Sequence, residues 1–460
     1  MIQYDAIIIG SGQAGTPLSK YLAKKGLKTL LIEKRWVGGT CVNDGCTPTK
    51  TMVASAKTAW LINRSEEMGI TTARTNVHME AVIARQQEIV HKMRSGSEKG
   101  LKQTENLDLI YGEASFQGPK TVQIDLPDGT QQTVRAETII INTGLEPHIP
   151  SISGLDQVAY LTNTSLLTLP TLPKQLLIVG SGYIGLEFGQ MYQRFGSQVT
   201  LLERGPRILK KEDEDIAESL YSILKEEGVN IRLNTSLLSV EKSENGYMAT
   251  VESEGQQSQI PFTHLLLASG RVPITKPLNL KTTGVHMDSK GYIPVDNSMQ
   301  TNVPGIYALG DIKGGPAFTH VAYDDYRILT QVLFADQQLQ GNHDILPYCM
   351  FTDPQLGRVG LNEQQAKEKG LNYKAVSLAN TSVARAIETG DTRGMMKAIV
   401  DADTDLILGA SMLGTEGGEV MSVVQMAMMG GLRWQQIAQS MLAHPTFSES
   451  LNNLFSQLED

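Results

Sequence analysis

YDAIIIGSGQAG (residues 4–15) and QLLIVGSGYIG (residues 175–185) decide how this chain is read. Each is an apolar run of strand length that empties into Gly-x-Gly-x-x-Gly. Each continues into a helical pattern, TPLSKYLAKKG and LEFGQMYQRFG, closed by Gly26 and Gly196 where a helix C-cap favours glycine. A second strand follows in both copies, TLLIEK and VTLLER, reaching Glu33 and Glu203. All these landmarks are displaced by the same 170 positions. One such turn is a weak sign; two with matched strand, helix, cap and acid predict two Rossmann-like dinucleotide-binding modules. In this turn the first glycine makes the bend, the second admits the pyrophosphate and the third lets helix pack on strand. The helix N-terminus then faces the phosphates. Gly10, Gly12 and Gly15 with Glu33, and Gly180, Gly182 and Gly185 with Glu203, are therefore the candidate cofactor-binding sets, each carboxylate placed to accept from a ribose diol. Glu203 disfavours a 2′-phosphate, which points to NADH; Arg204, Arg207 and Lys210 just beyond it leave NADPH open.

A second echo lies further along. ETIIINTGLEP (137–147) and HLLLASGRVP (264–273) are apolar strands followed by a glycine and, three residues later, a proline. They read as the return strands that close each module, which adds Thr143, Gly144 and Gly270 to the candidate cofactor-binding residues. The strand ending in Gly310 and Asp311 is assigned back to the first module. The expected fold class is α/β, with two Rossmann-like dinucleotide-binding domains, the second inserted in the first, and a C-terminal α+β domain. The expected segments are 1–148, 149–272, 273–342 as a return to the first domain, and 343–460. Residues 57–105 read as helical. The run MSVVQMAMMGG (421–431) reads as a core or subunit-contact helix, because methionine fills irregular interfaces readily.

At 460 residues the chain has room for about three domains. Its 41% apolar and 19% charged residues are those of an ordinary globular protein. No apolar run approaches the ~18 residues of a membrane span. Forty basic against 49 acidic residues, without a basic block, give no footprint for nucleic acid. The opening MIQYDAIIIGSG reads directly as strand and turn with no room for a leader, so a cytoplasmic location is expected. Three cysteines are too few for a secreted disulfide framework.

Two of the three lie in GGTCVNDGCTPTK (38–50). An ideal helix separates positions i and i+5 by ~7.5 Å along its axis, near the limit of ~7 Å for a disulfide. A bridge from Cys41 to Cys46 therefore needs a bent start, and Asp44-Gly45 makes that bend cheap. Pro48 suits only a helix's first turn. A helix beginning near Cys46 would also lower that thiol's pKa. Two inert thiols or half a zinc site is the alternative; with one other cysteine and no histidine nearby in sequence, no metal site is expected. Cys349, in an apolar strand, reads as a small buried hydrophobe.

The cysteine motif between two glycine fingerprints, followed by ALGD (308–311) and HPTFSE (444–449), resembles the flavoprotein disulfide reductases over essentially the whole chain. That family includes glutathione reductase, dihydrolipoamide dehydrogenase and mercuric reductase. The resemblance implies that the first module binds FAD, with Gly39 and Thr40 beside it, and the second NADH or NADPH. It implies a homodimer whose active sites are shared. Cys41 then becomes the interchange thiol and Cys46 the thiol in charge-transfer contact with the flavin. Lys50 sits near the flavin and pairs with Glu187; Tyr183 is the aromatic gate; Asp311 meets the ribityl chain. A helix beginning in residues 319–322 turns its positive end to the flavin. His444 and Glu449 form the acid–base pair supplied by the partner subunit.

The acceptor is less defined. Mercuric reductases share the redox motif and the 343–362 stretch but carry a C-terminal cysteine pair, whereas no cysteine follows Cys349 here. Dihydrolipoamide dehydrogenase shares His444, Pro445 and Glu449, yet Thr47, Thr49 and AFTHVAYDDYR (317–327) are atypical for it. Glu203 and Gly185 disfavour glutathione reductase. The expected function is that of a mercuric-reductase-like NAD(P)H oxidoreductase with a disulfide or thiophilic metal ion as acceptor. A dihydrolipoyl dehydrogenase, or a flavin-based sensor or electron-transfer protein with little turnover, are the alternatives.

Overall fold

The computed structural model describes residues 1–73, 76–335 and 345–459. The expected boundary between 342 and 343 lies outside the described residues. Two compact units emerge, one from Met1–Thr51, Ile83–His148 and the stretch from Gly270, the other from the rest.

In the first unit five parallel strands run in the order Ile306–Ala308, Thr138–Ile141, Ala6–Ile9, Thr29–Glu33 and Leu107–Tyr111. The strand AIII is apolar at every position because both of its faces are covered. Ala6 and Ile8 pack with Leu18, Leu22 and Leu329 from the helices Gly15–Lys24 and Thr319–Phe334. Ile7 and Ile9 pack on the other side with Phe116, Val122 and Val134, from an antiparallel meander over 113–135. The segments Leu145–Pro147 and Arg271–Pro273, where the chain leaves this unit and returns, pair antiparallel side by side. The expected insertion is thus visible as a two-strand stem.

The second unit repeats the plan. Its parallel order is Tyr160–Leu161, His264–Leu267, Gln175–Val179, Gln198–Leu202 and Asn230–Arg232. Leu177 stands opposite Thr200 as Ile7 stands opposite Leu30, so the offset of 170 holds in strand register. Leu177, Leu265 and Leu267 pack against Val240, Ala249, Val251 and Phe262 of a second meander over 235–262. The meander is therefore part of the repeat, which the glycine landmarks alone did not reveal. Between return strands the offset falls to 126, Thr138 against His264, because only the first copy carries the long helices Cys46–Asn63 and Met79–Lys102.

The C-terminal part of the second unit is a five-stranded antiparallel sheet, ordered Pro347–Met350, Gln355–Gly360, Ile407–Gly414, Met395–Asp401, Tyr373–Ala379. The helix Gly417–Met429 buries Val420, Met421 and Val424 in its core and leaves Met426 and Met429 exposed. Buried ion pairs tie this sheet to the second dinucleotide module: Arg194 to Asp353 at 2.8 Å, Lys397 to Asp213 at 3.3 Å and Arg358 to Glu212 at 3.0 Å. Among the described residues no helix is long and apolar enough to cross a membrane.

Candidate active site

Both fingerprint turns close in the same way. Gly10 and Gly180 adopt φ of +103° and +108°, and their N–H groups donate to Ile32 and Leu202 at 2.8 and 3.0 Å. A Cβ on Gly15 or Gly185 would overlap the carbonyl oxygen of Gly10 or Gly180, so only glycine lets each helix sit against its strand. The acids are held alike. Glu33 Oε2 accepts the Ser11 hydroxyl at 2.6 Å and the Ser11 N–H at 3.0 Å, while Oε1 accepts the Arg35 N–H at 2.8 Å. Glu203 Oε2 accepts the Ser181 hydroxyl at 2.5 Å and Oε1 the Gly205 N–H at 2.7 Å. Lys210 Nζ lies 3.0 Å from Glu203 Oε1. Against the upward pull of partial burial, Ser181, Gly205 and Lys210 hold the Glu203 carboxyl below its ordinary range. Ser11 and Ser181 were legible as the middle residues of the two Gly-Ser-Gly turns, yet the sequence reading passed over them.

The turns differ at one residue that sequence also missed. In the first unit Asn142 Nδ2 donates to the Gly10 carbonyl at 3.2 Å. Cβ atoms at Gly12, Gly15 and Gly310 would all crowd the Asn142 side chain. Gly39 approaches so closely that its Cβ would meet Gly12 Cα at 2.8 Å. Gly10, Gly12, Gly39 and Gly310 thus line one stretch of largely bare backbone next to Glu33, and Thr40 follows Gly39 in the helix Gly39–Asn43. Thr143 donates its hydroxyl to the Ile274 carbonyl at 2.9 Å, and Gly144 follows at φ +69°. Gly270, at φ +120°, accepts the His148 N–H at 3.0 Å on the stem. Burial raises the Asp311 carboxyl above its ordinary value, opposed by the charges of Arg271 and Lys313. The preceding N–H, of Gly310, donates at 2.8 Å to Asp325, a fully buried carboxylate on the Thr319–Phe334 helix. Burial pushes Asp325 up to about 6 despite Lys313 nearby. A bare-backbone cradle, a carboxylate at the ribose end and a second carboxylate at Gly310-Asp311 are a donor and acceptor set that fits FAD.

A short helix and the start of a long one carry the cysteines. The helix Gly39–Asn43 ends before Asp44, and a new helix starts at Cys46, with Pro48 in its first turn. Cys46 Sγ lies 3.3 Å from the hydroxyl of Thr319, the first residue of the Thr319–Phe334 helix. The two thiols share a proton: Cys41 donates to Cys46. That bond, then the Thr319 hydroxyl and the Lys50 charge, outweigh partial desolvation and bring Cys46 down to about 6. The same bond, with burial, pushes Cys41 well up. In the reduced pair the thiolate is thus favoured on Cys46 and the proton on Cys41. In the reduced protein, alkylation of Cys46 is expected to rise with pH through a midpoint near 6. Thr319→Val should move that midpoint up by about one unit, since one hydrogen bond to the thiolate is lost. Mass-spectrometric alkylation against pH reads both values, and an unmoved midpoint would remove Thr319 from the thiolate's environment.

In the second unit Glu187 is buried, and its Oε1 accepts the Phe351 N–H at 2.8 Å. Gly182 caps the Tyr183–Phe195 helix, and the Tyr183 hydroxyl donates to Glu212 at 3.0 Å. Lys50 and Glu187 fall in different units. His444, exposed and followed by a cis proline, sets Nδ1 at 2.9 and 3.0 Å from the two Glu449 carboxylate oxygens. A carboxylate bound to one ring nitrogen fixes the tautomer and leaves Nε2 for proton transfer.

Comparison with known proteins agrees with this chemistry. The family model for pyridine nucleotide-disulphide oxidoreductases matches residues 4–325, and the model for the dimerisation domain of those enzymes matches residues 346–455. The chain is 37% identical to the probable pyridine nucleotide-disulfide oxidoreductase RclA of Escherichia coli, over 99% of both chains. It is 36% identical to a mercuric reductase of Bacillus cereus, covering 97% of this chain and 70% of that one. A dihydrolipoyl dehydrogenase of Thermus scotoductus is 33% identical over 98% and 96%. Among solved structures, the Cu(II) complex of the HOCl-induced flavoprotein disulfide reductase RclA from Escherichia coli superposes with a TM-score of 0.91 at 37% identity, covering all of both chains.

Proposed function

This chain belongs to the pyridine nucleotide-disulphide oxidoreductases, FAD-dependent enzymes that draw on NAD(P)H, and on that premise we propose that it passes electrons from NADH through FAD and Cys41–Cys46 to a disulfide or thiophilic metal ion. The observation that carries this reading is the placement of the two cysteines on either side of the break between the helices Gly39–Asn43 and Cys46–Asn63, with Cys46 Sγ 3.3 Å from the Thr319 hydroxyl, in the unit that holds the first fingerprint. In it, residues 1–148 and 273–342 hold FAD, 149–272 hold the nicotinamide cofactor, and 343–460 dimerise through a face that includes Met426 and Met429.

FAD, when bound, supplies the two-electron exchange between a nicotinamide hydride and the Cys41–Cys46 disulfide. The remaining steps belong to the protein. His444 of one subunit takes the Cys41 proton of the other, with Glu449 stabilising the imidazolium. The Cys41 thiolate attacks one sulfur of the acceptor disulfide and expels the second as a thiolate, which recovers a proton from His444. The Cys46 thiolate then attacks the Cys41 sulfur, restoring the internal disulfide and releasing the second acceptor sulfur as a thiolate that takes its proton from solvent. Two electrons leave and two acceptor thiols form. Lys50 is assigned a place beside the flavin, where its charge also favours the Cys46 thiolate.

For a metal acceptor the same two sulfurs act as soft donors. The mercuric reductases and the Cu(II)-complexed RclA among the relatives support that substrate class. The His444–Glu449 pair supports a disulfide instead, because metal reduction has less need of a thiol acid–base catalyst. Anaerobic NADH oxidation with lipoamide, then with thiol-buffered Hg(II) or Cu(II), separates them. Turnover with lipoamide alone assigns a dihydrolipoyl dehydrogenase, and turnover with metal alone a metal reductase. No turnover with either would overturn the reading in favour of a sensor or electron-transfer protein.

Cofactor choice is assigned to Glu203. Glu203→Gln, which frees Lys210 from its 3.0 Å ion pair, should raise kcat/KM for NADPH relative to NADH by about tenfold, as removal of one close like charge does. An unchanged ratio would give the preference to Arg204 or Arg207.

A further inference from the structure

The loop that follows the Gln198–Leu202 strand carries Glu203 at one end and Glu212 near the other. Within it Leu209 takes φ +46°, a left-handed conformation rare for a branched apolar residue, and its carbonyl accepts the Glu212 N–H at 2.9 Å. The turn delivers the Glu212 carboxylate to a site where its side chain is 1% exposed and that of Arg358 is 3% exposed. There Oε1 accepts the hydroxyls of Tyr183 at 3.0 Å and Tyr348 at 2.5 Å, and Oε2 accepts Arg358 Nη1 at 3.0 Å. Arg358 Nη1 also donates to the Tyr348 hydroxyl at 3.0 Å and to the Lys211 carbonyl at 3.1 Å. The two tyrosine rings lie 5.7 Å apart. Burial, then the Glu212 charge, keeps both hydroxyls protonated and donating.

We propose that Glu212 is a positioning residue that latches Tyr183 at the head of the nicotinamide-dinucleotide site, with Tyr348 and Arg358 of the C-terminal domain holding the latch in place. This rests on the reading above that the second module binds NAD(P)H and that Tyr183 gates the nicotinamide. The hydrogen-bond accounting suits a moving part. When the Tyr183 ring swings away, Glu212 keeps Tyr348 on Oε1 and Arg358 on Oε2, so no buried acceptor is orphaned. The swing breaks the bonds of the Tyr183 hydroxyl to Glu212 and to the Tyr348 hydroxyl, while Arg358 still donates to both Glu212 and Tyr348, so it exposes no unpaired buried charge. Two ring positions of comparable free energy are what a gate that moves in every turnover requires.

The test compares binding of NAD⁺ and of ADP-ribose to the FAD-loaded protein by calorimetry. ADP-ribose reaches the fingerprint turn and Glu203 but carries no nicotinamide, so it is blind to the gate. Tyr183→Phe keeps the ring and removes its bonds to Glu212 and Tyr348. It should change the ratio of NAD⁺ to ADP-ribose affinity by roughly 3- to 10-fold while ADP-ribose alone binds as before. Glu212→Leu, which removes the acceptor that a glutamine amide oxygen would keep, should move the ratio in the same direction, and the double variant no further than Tyr183→Phe alone, because the Tyr183 bond it breaks is one that Tyr183→Phe already removes. Should Glu212→Leu fail to fold with Arg358 left without its carboxylate, the Tyr183→Phe ratio decides alone. A ratio unmoved by Tyr183→Phe but moved by Tyr183→Ala overturns the latch and keeps the gate. A ratio unmoved by Tyr183→Ala overturns both.

Discussion

Replacing Cys41 with serine is expected to lower NADH-driven turnover of a disulfide acceptor by a factor on the order of 10⁴ or more, the scale set by losing a covalent nucleophile. Serine preserves the shape and can still donate to Cys46, so the thiolate on Cys46 should persist. What disappears is the sulfur that, in the proposed mechanism, forms the mixed disulfide with the acceptor. Electron transfer from NADH to an artificial acceptor that needs no thiol should stay close to wild type. Steady-state rates with both acceptors check the contrast, and a parallel loss in both would place the defect in cofactor binding and remove Cys41 from the nucleophile's role.

The second large effect is expected at His444. His444→Ala should slow disulfide turnover by about 10² to 10⁴, the usual worth of a positioned acid–base group. Reduction by NADH should be spared, because the proposed mechanism gives His444 only thiol protons to handle. The pH dependence has a definite sign. Cys41 keeps its proton above the ordinary thiol range through its bond to Cys46 and through burial, so the variant should regain rate as pH rises and hydroxide replaces the missing base. Stopped-flow separation of the two half-reactions reads this directly. Equal loss in both halves would count against the acid–base assignment.

Much of this was legible in the sequence because the glycine turns encode it. Gly10 and Gly180 need positive φ, and Gly15 and Gly185 need a missing Cβ, so both fingerprints announce their strand, helix and phosphate-binding end. The cysteine motif likewise shows its break at Asp44-Gly45 and a helix start that Pro48 permits. The meanders over 113–135 and 235–262 were not legible, since their short half-exposed strands such as Gln131–Arg135 and Gln256–Phe262 carry weak alternation. Glu212, Asn142 and Asp325 were hidden for another reason. Each acts by a hydrogen bond to a residue far along the chain: Glu212 to Tyr183, Asn142 to Gly10, Asp325 to Gly310. No local spacing signals such partners. The pairing of Thr319 with Cys46 spans 273 positions and is of the same kind.

Passage of electrons through the Cys41–Cys46 pair is read by counting thiols. The oxidised, FAD-loaded protein is reduced anaerobically with excess NADH, quenched with an alkylating reagent under denaturing conditions and mapped by mass spectrometry. The account predicts that Cys41 and Cys46 change from blocked to alkylated on reduction while Cys349 is alkylated in both states. If the flavin bleaches and neither cysteine becomes alkylated, electrons stop at the flavin and the account is contradicted.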